Sequence, residues 1–213
     1  MKKPYNYIVI EGNIGAGKTT LAKMLAQKYN ANLILEEFLS NPFLPKFYEN
    51  PDKFGFHVEL AFLADRYKQV HSEIHSPEIF KSFTVADYYF MKSLIFATIT
   101  LRKDELSLFK KLFEIIYQTL PKPDLFVYLH CELPELKENI RKRGRSFEQS
   151  IPNSYLKDLE KGYFAFMKTQ QHFRFAVIDI TGIDFTENIG HFEQLNKIIM
   201  ESTHPVGISS YKI

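Results

Sequence analysis

Residues 5–10, β-branched or aromatic apart from Asn6, run into a glycine-rich segment, beyond which Leu21, Met24 and Leu25 recur at the spacing of one helical face. That succession predicts a strand, a loop and a helix. Further apolar runs follow at 32–36, 83–87, 124–129 and 173–180. Each is apolar on both faces, as strands are when helices cover both sides of a parallel sheet. Helical patterns separate them, most clearly over 104–120, where Leu106, Phe109, Leu112, Phe113 and Ile116 form one stripe. Strands alternating with helices predict an α/β fold, a five-stranded parallel sheet flanked by helices. Pro121-Lys122-Pro123 ends the helical run before the fourth strand, and residues 202–213, poor in periodic apolar positions, read as a loosely held tail. Residues 1–213 are expected to form one domain.

The loop after the first strand carries the strongest chemical signal. Gly12-Asn13-Ile14-Gly15-Ala16-Gly17-Lys18-Thr19, continued by Thr20, satisfies G-x-x-x-x-G-K-[ST] between a predicted strand and a predicted helix. Its glycines let backbone N–H groups curl around phosphates, Lys18 can reach the β- and γ-oxygens, and Thr19 can ligate Mg²⁺. The pattern predicts a P-loop that binds ATP or GTP.

Two of the other predicted strands end in acids. In a parallel sheet such C-terminal ends face the ligand crevice. Glu36 and Glu37 close the second strand, where a carboxylate could accept a proton from an attacking hydroxyl. Asp87 closes the third and could hold Mg²⁺. Arg141-Lys142-Arg143-Gly144-Arg145 interrupts a helix predicted from Pro134 to about Lys142, and reads as a lid whose arginines close over transferring phosphates. A nucleic-acid patch or a solvated helix face are the alternatives to the lid.

Composition and charge narrow the partners. The 213 residues hold 27 Lys plus Arg against 25 Asp plus Glu, a formal charge of +2, which gives no chain-wide attraction for nucleic acid or anionic membrane. Any anion must be caught locally. Residues 1–10 lack the apolar stretch of a signal peptide, and the lone cysteine, Cys131, forms no internal disulfide and fits a reducing, cytoplasmic location. Cys131, just after a buried strand, reads as packing. His71 and His75, with Glu73 between them, have half the spacing of a metal site but read better as a solvated helix end.

In combination, EGNIGAGKTT (11–20), LEEFLSNPFLPKFYENP (35–51), FGFHVELAFLADRYKQ (54–69), ADYYFMKSLIFA (86–97), LPKPDLFVYL (120–129) and RKRGRSFEQSIPNSYL (141–156) resemble the deoxynucleoside kinases. The resemblance is strongest to bacterial deoxyguanosine and deoxyadenosine kinases. It implies an ATP- and Mg²⁺-dependent enzyme of nucleotide salvage, a homodimer, with Glu36 as general base for the 5′-hydroxyl and Tyr48 and Glu148 at the 3′-hydroxyl. Arg143 and Arg145 match its lid arginines. Glu59 and Arg66, two helical turns apart, match positions that meet the base. Many relatives carry Gln at Glu59. An ionised carboxylate only accepts and so matches the adjacent N1–H and amino donors of guanine, whereas Gln fits adenine. An Arg66–Glu59 ion pair would instead leave other groups to read the base, keeping deoxyadenosine open. Where the family commonly has an arginine after the third strand's acid, this chain reads Asp87-Tyr88-Tyr89, so Tyr88, or Arg143 alone, is expected to take over that work. Phe96 and Ser93 are further candidates beside the base. A nucleoside monophosphate kinase, or a non-catalytic nucleotide-binding protein, are the alternative functions.

Overall fold

The computed structural model describes residues 5–37, 41–74 and 81–213. The N-terminal residues 1–4 and His75 lie outside them. Six parallel strands, β1 (Tyr7–Gly12), β2 (Asn32–Ile34), β3 (Thr84–Ala86), β4 (Leu125–His130), β5 (Arg174–Asp179) and β6 (Gly207–Lys212), form one sheet in the order β2-β3-β1-β4-β5-β6. The helices are α1 (Lys18–Tyr29), α2 (Leu44–Glu49), α3 (Pro51–Ile74), α4 (Lys92–Thr100), α5 (Lys103–Tyr117), α6 (Leu133–Arg143), α7 (Asn153–Thr169) and α8 (Ile189–Glu201).

Alternation along the central strands builds two cores. Ile8 and Ile10 of β1 join Leu125, Val127 and Leu129 of β4 and Ala176 and Ile178 of β5 on one face, packed against Leu21 and Leu25 of α1 and Leu195 and Ile199 of α8. The intervening residues Val9, Phe126, Tyr128, Phe175 and Val177 pack on the other face with Leu63 of α3, Ile95 of α4, Phe109 and Phe113 of α5 and Tyr163 of α7. Both faces are dry, which is why the strands are continuously apolar.

The sequence suggests five strands and a loose end, and the sixth strand corrects that expectation. β6 pairs with β5 over six residues, from Arg174 opposite Gly207 to Asp179 opposite Lys212, and Tyr211 Oη lies 2.9 Å from His204 Nδ1. Its side chains alternate between half-buried and exposed. Backbone pairing along a sheet edge, more than apolar burial, holds it, so hydrophobic periodicity has little to report there.

Candidate active site

β1 ends inside the phosphate loop. Gly12 has φ +153°, and a Cβ there would lie 2.7 Å from the Leu129 carbonyl oxygen of β4, so the loop passes too close to its neighbour for any side chain. Gly17, at φ +80°, opens α1 and faces Phe185, whose Cζ would lie 2.8 Å from an added Cβ. Asn13 donates its side-chain amide to the Leu156 carbonyl of α7 at 2.8 Å, and Asn139 of α6 donates to the Gly15 carbonyl at 3.0 Å. Neighbouring elements thus hold the curl of Gly12, Asn13, Ile14, Gly15, Ala16 and Gly17 open above α1. Beneath it lies the fully buried Glu11, which accepts from Tyr163 Oη and the Tyr89 backbone N–H, both at 2.8 Å. Burial raises its carboxyl above the usual range.

Lys18 reaches back to the Asn13 carbonyl at 2.8 Å. Burial, then repulsion from Lys92, lowers its ammonium to about 8. Thr19 donates its hydroxyl to Asp87 Oδ2, while Asp87 Oδ1 accepts the Glu36 backbone N–H at 2.7 Å. A hydroxyl and a carboxylate side by side are hard oxygen donors of the kind Mg²⁺ takes. Thr20 lines the same phosphate-side cleft as Gly15 to Thr19, with Glu36, Arg143 and Arg145 at its edge.

A second cleft adjoins the first, lined by apolar and aromatic side chains such as Phe47, Tyr48, Val58 and Phe62 together with Glu36, Glu59 and Arg66. Lys18, Thr19, Glu36, Asp87, Arg143 and Arg145 border both clefts, so the two meet at those side chains. Glu36 sits just past β2. Its Oε1 accepts from Arg66 Nε at 2.9 Å and Nη2 at 2.5 Å, and its Oε2 accepts from Lys92 Nζ at 2.5 Å. Burial pushes this carboxyl up, but the charges and hydrogen bonds of Lys92 and Arg66 win and hold it at about 2.

Arg66 is only 3% exposed, donates to Ser93 Oγ at 2.8 Å and lies 4.7 Å from the centre of the Phe62 ring. The alternative of an Arg66–Glu59 ion pair is not what the structure shows: Arg66 is hydrogen-bonded to Glu36 and Ser93. Glu59, 2% exposed in the same cleft, has an Oε2 with no hydrogen-bond partner among the described residues. Burial, against the weaker pull of Arg66, raises its carboxyl to about 7. Phe96 of α4 also lines this cleft.

The basic segment that the sequence suggests as a lid comes from α6 and the turn after it. Gly144, at φ +72°, ends α6, so the chain reverses and presents Arg143 and Arg145 on the same side as Glu148. Arg143 Nη2 pairs with Glu148 Oε2, and Arg145 Nη1 with Glu148 Oε1 at 3.1 Å. Tyr48 stacks on Phe147 at 5.8 Å, and burial, then the charge of Glu148, raises its hydroxyl. Of the three lid arginines the sequence suggests, Arg141 stands apart: it is exposed and pairs with Glu138 on its own helix at 2.8 Å. Arg141 lies two residues, about half a helical turn, before Arg143 and so faces the other side of α6.

Tyr88 is likewise corrected. It is buried in the core behind β3, and its hydroxyl donates to Gln69 Oε1 at 2.8 Å rather than lining either cleft. The second cation on Glu36, beside Arg66, is Lys92, which no sequence motif singles out. The available signal was a lone basic residue in the otherwise apolar run 88–97, 7% exposed once folded. Away from the site, burial pushes the Cys131 thiol up to about 12, and the His71 ring lies 5.7 Å from Tyr67. No described helix is long and apolar enough to cross a membrane.

Comparison with known proteins agrees with this geometry. The family model for deoxynucleoside kinase matches residues 8–204. A deoxyguanosine kinase of Bacillus subtilis (strain 168) is 39% identical over 201 residues, covering 92% of this chain and 96% of the relative. A deoxyadenosine kinase of Lactobacillus acidophilus is 29% identical over 210 residues, covering 94% and 97%. A solved deoxyadenosine kinase from M. mycoides superposes with a TM-score of 0.77 at 24% identity, over 91% of this chain and 97% of that one, a likeness of fold. With a glycine cradle for phosphates, a buried carboxylate where two clefts meet and a family match across nearly its whole length, this chain belongs to the deoxynucleoside kinases, phosphotransferases with an alcohol group as acceptor.

Proposed function

We propose that the chain transfers the γ-phosphoryl group of ATP to the 5′-hydroxyl of a purine deoxynucleoside, preferring deoxyguanosine to deoxyadenosine. The observation that carries this reading is Glu36, an ionised carboxylate at the junction of the phosphate-side cleft and the second cleft beside it. A carboxylate there takes the proton of an attacking hydroxyl, while a monophosphate acceptor would meet its negative charge. Positioning and charge neutralisation do most of the remaining work.

In this reading the backbone of residues 12–20 and Lys18 hold the triphosphate, and Thr19 and Asp87 are the residues that would hold Mg²⁺. The ion supplies charge neutralisation on the phosphate oxygens. Arg143 pairs with Glu148 through one Nη, which leaves further N–H donors for the phosphates, and Arg145, also paired with Glu148, adds its charge beside it. Tyr48 and Glu148, adjoining one another beside the lid, take the 3′-hydroxyl. Glu59 reads the base edge, with the unpartnered Oε2 as its acceptor for guanine. The preference for guanine is also supported by the deoxyguanosine kinase that is 39% identical.

A homodimer is supported by α5, whose buried face carries Phe109 and Phe113 while Leu108 and Ile115 stand 50% and 70% exposed one heptad apart. A cytoplasmic setting is supported by a lone cysteine with a protonated, buried thiol. The test is purified protein with ATP and Mg²⁺ against the four deoxynucleosides and their monophosphates. Phosphorylation of deoxyguanosine and then deoxyadenosine is expected; turnover of monophosphates alone would replace this reading with a monophosphate kinase.

A further inference from the structure

We propose that Lys92 is a catalytic residue of this transfer: its ammonium, held on Glu36 in the free enzyme, contacts the 5′-oxygen and the γ-phosphoryl group as the bond between them forms. The proposal rests on the function proposed above and concerns the same junction.

The two oxygens of Glu36 are occupied unequally. Oε1 is taken up by two N–H donors of Arg66, whereas Oε2 carries a single donor, Lys92. A carboxylate oxygen accepts about two hydrogen bonds, so Oε2 is the atom with room for the 5′-hydroxyl. The attacking oxygen and the Lys92 ammonium then become neighbours, two donors on one acceptor atom. Among the described residues Lys92 is the cation that bonds Glu36 Oε2. Arg66 is fixed by Ser93 and by the Phe62 face, and Lys18 is tied to the Asn13 carbonyl in the phosphate loop.

Lys92 lines the nucleoside-side cleft and not the phosphate-side one, but Lys18 borders both, so the two ammoniums share the space where the clefts meet. They repel each other, with Glu11, Glu36 and Asp87 as the acids around Lys18. Two cations turned on a common space are relieved when an anion enters it, and the γ-phosphoryl group of ATP held by the loop supplies that anion. Lys92 is 7% exposed and its ammonium lies 5.5 Å from the centre of the Phe96 ring, so water screens it little. In the step itself the 5′-oxygen forms its bond to the γ-phosphorus as its proton passes to Glu36 Oε2. The bond from the γ-phosphorus to the bridging oxygen breaks, and its electron pair leaves on ADP. Glu36 later releases the proton to solvent. As the proton neutralises Glu36, the Lys92 charge loses its partner there and is available to the phosphoryl oxygens, which hold the negative charge in the transition state.

Lys92→Met should lower kcat about 10²–10³-fold. The dissociation constants for nucleoside and ATP should stay within about threefold of the wild type, because the contact is made in the transition state. Lys92→Arg, which keeps the charge and the buried stem, should recover part of the rate, and methylammonium should rescue Lys92→Ala in a saturable manner. In a Glu36→Gln background Lys92→Met should cost a further tenfold or so, since the phosphoryl contact survives without the carboxylate. A Lys92→Met enzyme within about threefold of wild-type kcat overturns the proposal, as does the absence of any further loss in the Glu36→Gln background, which would make Lys92 only a positioning residue for Glu36. Either failure leaves the kinase reading standing, whereas a wild-type protein that phosphorylates no deoxynucleoside overturns that reading and this one together.

Discussion

The phosphate half and the nucleoside half of this crevice are built in opposite ways. In the proposed reading the phosphate half is one continuous stretch, Gly12 to Thr20, in which backbone N–H groups and side-chain-free glycines form the cradle and Lys18 and Thr19 complete it. The nucleoside half is assembled from side chains on separate elements: Glu36 after β2, Arg66 on α3, 30 residues away, and Lys92 on α4, 56 residues away. A backbone site tolerates no added atom but asks little of its neighbours beyond anchoring. A side-chain site depends on charges that hold one another, so a single change alters several groups.

The contrast can be broken first at the glycines. Gly12→Ala puts a Cβ 2.7 Å from the Leu129 carbonyl at a φ of +153°, a strain of about 1–3 kcal/mol. Differential scanning should show a melting temperature lower by roughly 2–4 °C per kcal/mol, and calorimetry a weakened affinity for ATP. An unchanged melting point with unchanged ATP binding would mean that the loop has room to relax.

The nucleoside half should respond in selectivity instead. Glu59→Gln replaces two acceptors by one acceptor and one donor, and should move the ratio of kcat/KM for deoxyguanosine over deoxyadenosine down by about 10–100-fold, the equivalent of roughly 1–3 kcal/mol for an unmatched buried hydrogen bond. ATP binding should be untouched. A constant ratio would show that Glu59 does not read the base.

A smaller effect follows from the wild-type side chain alone. Burial raises the Glu59 carboxyl to about 7. Below that pH it is protonated and, like Gln, offers a donor and an acceptor, which suits adenine. Above it the carboxylate only accepts, which suits guanine. The deoxyguanosine preference should therefore rise between pH 6 and 8, by at most about tenfold per pH unit, and the Glu59→Gln enzyme should show no such rise. A wild-type ratio that is flat over this range would place the Glu59 titration elsewhere.

The same division explains what could be read from the chain. The phosphate loop was legible because its meaning lies in local spacing, and the two-faced apolar strands because burial on both sides leaves no polar period. Glu36, Asp87 and Glu148 were legible through strand-end position and family resemblance. The partners of Glu36 were not, since a hydrogen bond across 56 residues leaves no local pattern, and Tyr88, one of the two candidates beside Arg143 for the absent arginine's work, bonds Gln69 instead. Arg141 looked like its neighbours in sequence, but helix phase separates it from Arg143. β6 escaped because backbone pairing along an edge has little side-chain signature.

The central claim is that the backbone-held phosphates meet an acceptor activated by Glu36. It is tested most directly by measuring ATP binding and deoxyguanosine phosphorylation on the same preparation of Glu36→Gln. The account predicts ATP affinity close to wild type with turnover lower by about 10²–10⁴-fold; turnover that survives the substitution would contradict it.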